Sequence, residues 1–284
     1  PLPLEDRALK AHIQRMPSVT AFSDDIRDGL KGSVFDDQST GFVSGAKETE
    51  ESVKFGVVGA IQHLQIDYKA VNYSDAPWTN EPWQAISYVS CHDNHTLYDK
   101  LYVSRSDATE EDIIKMDKLA NAIVLTSQGI PFIHAGAELL RTKNGNHNSY
   151  NLPDAINQID WNRKTEYAPV VNYYKNLIAL RKAHPAFRMP TADEVRKNLV
   201  FKTQVDGLVS YQISNYANGD SWKNVYVIYN AQTAPYTYQV DGNWKTAVLG
   251  DTFNSGDAIL TKSDLVTIEV RDITESSLFT ELGE

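Results

Sequence analysis

An α/β domain followed by an all-β domain is the fold class this sequence predicts, on three observations. Short apolar runs repeatedly end in polar clusters and are followed by helix-patterned stretches, as in parallel sheets whose strands present chemistry at their C-terminal ends. Beyond Pro190 the apolar period falls from about 3.6 to about 2. With 284 residues, 42% of them hydrophobic, the chain can bury the cores of two domains, divided as 1–190 and 191–284.

Taken in order, Val19, Ala21 and Phe22 form a first apolar strand that ends in Ser23-Asp24-Asp25. Helix capping and first-turn charge on the next segment account for Asp24, Asp25 and Asp28. Gly32 to Gly45, rich in Gly, Ser and Asp, is a loop over the strand ends. Glu48, Glu50 and Glu51 open an amphipathic helix with Val53, Val57, Ile61 and Leu64 on one face. From Asp67 to Gln84 the pattern breaks up around Tyr68, Tyr73, Trp78 and Trp83, aromatics that either pack the loop down or stack on a ligand ring.

The second strand, with Ile86, Tyr88 and Val89, leads into His92-Asp93-Asn94-His95. Spacing alone leaves this cluster open between an Asx-type turn and a functional site. Thr109-Glu110-Glu111-Asp112 is a capping box for a helix whose face carries Ile113, Met116, Leu119, Ala120, Ile123 and Val124. Ile130 to Ile133 is a third strand, followed by His134-Ala135-Gly136-Ala137-Glu138. Gly145 to Trp161 is too polar and Asn-rich for a core element, and long ordered loops at strand ends are usually functional. Val170 to Ala183 forms the last helix of this domain, with Tyr174, Leu177, Ile178 and Arg181 in series, and Pro185 stops it. Runs starting at Leu199, Leu208, Asn224, Tyr236, Trp244 and Leu265 then alternate between turns, as in an antiparallel sandwich. Trp222 and Trp244 there are expected to pack rather than to bind a ligand.

The net charge of −10, with no Lys/Arg-rich run, makes nucleic acid and anionic membrane surfaces poor partners and suits a neutral substrate. No run of about 18 apolar residues offers a membrane span. Cys91 is alone, which excludes an intrachain disulfide and suggests a buried packing thiol; it leaves the compartment open. A chain opening on Pro1-Leu2-Pro3-Leu4 is expected to be a piece of a longer protein.

SYVSCHDNHTLYDKL, from Ser87 to Leu101, resembles the fourth conserved segment of the α-amylase superfamily in its type I pullulanase form, with Tyr98 where the family usually has Trp. Three further stretches resemble the same family in the same order. FSDDIRDGLKGS resembles the sixth barrel strand and its sequel, and GIPFIHAGAELLRTK the eighth strand and its exit. SYNLPDAINQIDW resembles the loop that lines the glucan cleft. The resemblance implies a partial (β/α)8 TIM barrel, its last three strands and their helices, closed by a β-sandwich domain C that covers the last helix and supports the eighth strand.

It also implies a debranching glycoside hydrolase cleaving α-1,6 links in pullulan or branched starch by a retaining mechanism. Asp93 matches the transition-state-stabilising carboxylate, while His92, Asn94, Arg141, Asn151 and Asp154 match substrate-binding positions. Gly136 would allow close backbone approach, and Glu138 would be a hydrogen-bonding anchor. A retaining glycosidase also needs a nucleophile and an acid/base. Neither has a matching segment here, so the fragment alone is expected to be inactive and to need the N-terminal half of the same protein. The expected partner is an α-glucan, with no cofactor and no metal; calcium is not readable from the sequence. The parent is expected to be soluble, secreted or at the cell surface. An α-1,4-acting amylase relative and a non-catalytic glucan-binding or scaffold member stay open as alternatives.

Overall fold

The computed structural model describes residues 2–233, 236–239, 244–253, 259–260, 265–268 and 275–281. Three short strands, β1 (Ala21–Phe22), β2 (Ala85–Ser87) and β3 (Ile130–Pro131), form a parallel sheet in the order β1-β2-β3. Ala21 pairs with Ala85, and Ile86 lies between Phe22 and Ile130. Parallel neighbours require crossovers, and helices supply them. Between β1 and β2 run α1 (Asp24–Lys31) and α2 (Glu50–Val57); between β2 and β3 run α3 (Leu97–Ser104) and α4 (Glu110–Thr126).

The strands are shorter than their apolar runs. Val19 stands outside β1 and is 42% exposed, whereas Tyr88 and Val89 are buried just beyond β2. The α2 helix also ends early: Ala60 turns left-handed (φ 60°), so Ile61 is buried from a loop, and Leu64, expected on the same face, is 96% exposed. In α4 the expected capping box is present, Thr109 Oγ1 accepting from the Asp112 N–H at 3.2 Å, and all six residues of its predicted face are buried.

After β3 come two single turns, α5 (Asp154–Asn157) and α6 (Arg163–Glu166), then α7 (Ala168–Ala183) and α8 (Ala192–Asn198). From 199 onward the described residues are mainly β, with one 3-10 turn at Ala217–Gly219. The strands are β4 (Leu199–Val205), β5 (Leu208–Ile213), β6 (Val225–Asn230), β7 (Tyr236–Gln239), β8 (Trp244–Leu249), β9 (Thr252–Phe253), β10 (Ile259–Leu260), β11 (Leu265–Ile268) and β12 (Glu275–Glu281). One antiparallel sheet runs β10-β8-β12-β6-β5-β4, with β9 on β8, and β11 pairs with β7. The six expected runs all contain strands, although Val240, Glu269 and Val270 at the ends of two of them lie outside the described residues. β12, between β8 and β6, escaped sequence reading because Glu275, Ser276 and Ser277 at its start carry no apolar alternation.

The β-sheet meets more than the last helix of the α/β part. Tyr211 Oη donates to the Thr126 carbonyl at the end of α4 (3.0 Å) and lies 2.9 Å from Tyr229 Oη. The Gly207 N–H donates to Glu50 of α2 at 2.6 Å, and Tyr173 of α7 meets Phe253 edge-on. Arg181 of α7 donates to the carbonyls of Leu125, Ser127 and Gly129, clamping the turn into β3. Trp222 stacks on His184, and Trp244 is buried edge-on to Tyr226, so both pack as expected. Among the described residues no helix is long and apolar enough to cross a membrane.

Candidate active site

All three parallel strands deliver polar side chains at their C-terminal ends: Asp24 and Asp25 after β1, His92 to His95 after β2, and His134 after β3. The acids after β1 are occupied. Asp24 accepts from Arg27 (2.7 Å) and Tyr88 (3.1 Å), and Asp28 from Arg27 (2.5 Å) and Tyr73 (2.5 Å). Asp25, fully buried, accepts from Ser74 Oγ (2.9 Å) and Trp78 Nε1 (3.3 Å). Burial opposes the Arg27 charge, but the hydrogen bond and charge of Asp28 outweigh it and raise its pKa further. The expected first-turn charges are therefore in place on α1, although Ser23 makes no side-chain cap bond. They tie down the 67–84 loop, with Trp78 and Tyr68 packed and Tyr73 half-exposed.

His92 and Asp93, by contrast, are open to solvent, with side chains 85% and 73% exposed and Nε2 3.5 Å from Oδ2. Asn94 follows in left-handed conformation (φ 62°), which Asn tolerates better than most residues. Lys143 Nζ donates to the His92 carbonyl at 2.9 Å and so holds the turn from the neighbouring loop. Asp99 completes the fastening, accepting from Thr142 Oγ1 (2.5 Å) and the Lys143 N–H (2.7 Å). Asp93 and Asn94 line a cavity of about 730 Å³ together with Arg27, Val34, Phe35, Asp36, Asp37, His147 and Asn148. Cys91 beside them is half-buried rather than buried.

Arg141 faces elsewhere. Its guanidinium donates to the carbonyls of Ala135 (3.1 Å) and Asn157 and to His134 Nε2 (3.3 Å). It lines a second cavity of about 580 Å³, with Trp161 and Arg163, formed by the loop after β3. Gly136 stands in left-handed conformation (φ 90°), and a Cβ there would sit 3.0 Å from Arg141 Cδ, so the close approach expected of it is made to this side chain. His134 accepts from Arg141 and is therefore neutral; burial, with the charges of Arg141 and Lys143, pushes its pKa down to about 4. Glu138 makes no side-chain hydrogen bond among the described residues and lines a cavity with Tyr174, Ile178, Lys164 and Lys175. The anchoring role expected of it is not seen.

Asn151 and Asp154 are exposed and line neither cavity. The structure thus brings together His92, Asp93 and Asn94, and sets Arg141, Asn151 and Asp154 apart on the 141–157 stretch. Sequence reading missed Lys143, Asp37 and His147. Lys143 gave no signal beyond a lone cation, whereas His147 in an Asn-rich loop and Asp37 in an acidic turn were visible as polar loop residues.

A family model described as the pullulanase all-beta domain matches residues 195–252. The pullulanase of Bacillus subtilis (strain 168) is 40% identical over 231 residues, 81% of this chain and 31% of that protein. The isoamylase of a Flavobacterium species is 30% identical over 204 residues, 56% of this chain and 26% of that protein. Among solved structures, the type I pullulanase of Bacillus subtilis str. 168 complexed with maltose matches with a TM-score of 0.91 and 33% identity, over 100% of this chain and 38% of the other. The pullulanase of Paenibacillus barengoltzii in complex with maltohexaose and alpha-cyclodextrin matches with a TM-score of 0.87 and 38% identity, over 99% of this chain and 42% of the other. The chain spans about a third of the length of the relatives it matches. By sequence and by fold, it belongs to the pullulanase family.

Proposed function

We propose that this chain carries part of the glucan site of a debranching glycoside hydrolase that cleaves α-1,6 links in pullulan or branched starch with retention. In this reading residues 1–190 are the C-terminal part of a (β/α)8 barrel and 191–284 its domain C. Each of β1 and β3 has a single neighbour among the described residues, which suits strands awaiting the rest of a barrel.

The observation that carries the reading is the solvent-open His92–Asp93 pair at the C-terminal end of the middle parallel strand, held from behind by Lys143. Asp93 there has a carboxylate free to grip sugar hydroxyls through charge-assisted hydrogen bonds that strengthen in the transition state. His92 and Asn94 add contacts beside it; Asn151 and Asp154 act further along the chain of sugars, where Arg141 serves by pinning the loop that lines the second cavity. Phe35, 88% exposed, and Trp161, 65% exposed, give each cavity an apolar face on which a pyranose ring can stack. Bond cleavage needs two more carboxylates about 5–5.5 Å apart flanking the glycosidic oxygen. The N-terminal part of the same protein supplies them, and this chain alone is inactive.

The test is Asp93→Asn in the intact protein, assayed by reducing-sugar release from pullulan and from amylose. Turnover on pullulan is expected to fall by several orders of magnitude with the fold unchanged by circular dichroism. Near-normal turnover would remove Asp93 from the site, and a wild-type preference for amylose would reassign the linkage. Release of maltotriose from pullulan by the 284-residue chain alone would sink the reading of a shared active site.

A further inference from the structure

On the wall of the Asp93 cavity, which Asp37 and His147 help to line, lies a second constellation to which the glucan reading gives no role. His95 is 5% exposed, and neither of its ring nitrogens has a hydrogen-bond partner. Two buried polar atoms on one side chain left without partners are costly and call for an explanation. Asp37 Oδ1 lies 3.2 Å from His95 Nε2 as an ion-pair contact, and Asp37 Oδ2 lies 3.5 Å from His147 Nδ1. The two imidazole rings are tilted, their centroids 5.5 Å apart. One donor atom from each of the three residues falls within 4.8 Å of the others.

We propose that Asp37, His95 and His147 bind a divalent transition-metal ion of the zinc class, which ties three loops together at the rim of the cavity. Two of the three donors stand on backbone already held in place. Lys100 Nζ donates to the carbonyls of Asp36 (2.6 Å) and Asp37 (3.0 Å), and His95 directly precedes Thr96, the N-cap of α3. His147, on the exposed 145–161 loop, is the arm that closes. Bonds of about 2.0–2.2 Å in a tetrahedral site put donor atoms about 3.3–3.6 Å apart. Asp37 meets His95 through Oδ1 (3.2 Å) and His147 through Oδ2 (3.5 Å), so holding the ion requires its carboxylate and the exposed His147 ring to turn until one donor from each residue, now within 4.8 Å of the others, reaches that spacing.

Two imidazoles and one carboxylate suit zinc, with a fourth position left for water; calcium and magnesium prefer all-oxygen shells. The ion would fasten the 33–45 loop and the 145–161 loop to the start of α3, and so set the position of Phe35 relative to Asp93.

The test titrates Co²⁺ into the metal-stripped intact protein and follows its visible d–d absorption, comparing wild type with His147→Ala and Asp37→Asn. The two mutated side chains are 57% and 43% exposed, so both variants are expected to fold, which circular dichroism checks. One equivalent of tetrahedral Co²⁺ is expected in the wild type beyond whatever the variants bind, displaced by Zn²⁺ and not by Ca²⁺. Each variant should bind that equivalent roughly 100-fold more weakly or worse. Absence of the band, or a band undiminished in both variants, overturns the proposal and leaves a hydrated His–Asp cluster.

Discussion

Arg141→Met separates two uses of the same side chain. Its guanidinium has five N–H donors, and the structure spends three of its interactions on the Ala135 carbonyl, the Asn157 carbonyl and His134 Nε2, with Nε buried and unpartnered. In this geometry Arg141 is a pin between the exit of β3 and the turn α5, and little of it is left for a sugar. Methionine keeps the apolar stem against Gly136 and removes the pin. Hydrogen bonds to a charged donor contribute about 1.5–3 kcal/mol each, and with the site partly open to water two of them amount to about 2–4 kcal/mol. That corresponds to local opening of the 145–161 loop made roughly 30- to 1000-fold more frequent. Hydrogen exchange of the intact protein reads this directly in peptides covering 145–161, whereas peptides of β4 to β6 should not change. Unchanged exchange in the loop, with glucan binding weakened, would refute the pin and restore Arg141 as a direct sugar contact.

Further outcomes follow from buried charges and one tight turn. Asp117, fully buried and accepting from Tyr174 Oη at 2.7 Å, has its pKa pushed up by burial from 3.8 to about 7. The fold therefore holds more protons than the unfolded chain between those values, and stability drops as pH rises from about 4 to about 7. Asp117→Asn should flatten that slope and gain up to about 4 kcal/mol above pH 7; an unchanged slope in thermal melts would dismiss Asp117 as its source. Lys31 is 2% exposed, and burial, partly offset by Asp28, lowers its pKa from 10.5 to about 7. Its cost is full below pH 7 and fades as pH climbs towards 10.5, so Lys31→Met should melt higher at pH 6, by up to about 5 kcal/mol, with the gap closing by pH 10. An equal gap at both pH values would mean packing rather than charge is responsible. At Gly32 (φ 90°) a Cβ would stand 2.2 Å from the Ser39 carbonyl oxygen. Gly32→Ala should displace the 33–45 loop and lower both the melting temperature and glucan binding, and a variant of wild-type melting temperature would contradict the close packing.

Local chemistry made much of the fold legible before any coordinates. The Thr109–Asp112 box, the face from Ile113 to Val124 and the stop at Pro185 are decided by neighbours in sequence, and the structure repeats each of them, whereas beyond Pro190 the α8 helix comes first and strands begin only at Leu199. The HDNH cluster after an apolar run likewise marked the C-terminal end of β2, because strand periodicity and polar turns are short-range features. Where α2 stops, how short the strands are and that Glu275 to Glu281 joins the sheet depend on partners far along the chain, which no local pattern encodes. The same holds for the site. That Asp93 is open while Asp25 is sealed under Trp78, that Arg141 is consumed by backbone carbonyls, and that Asp37, His95 and His147 converge from three loops are decided only in the tertiary structure, because burial and pairing are properties of the packed chain.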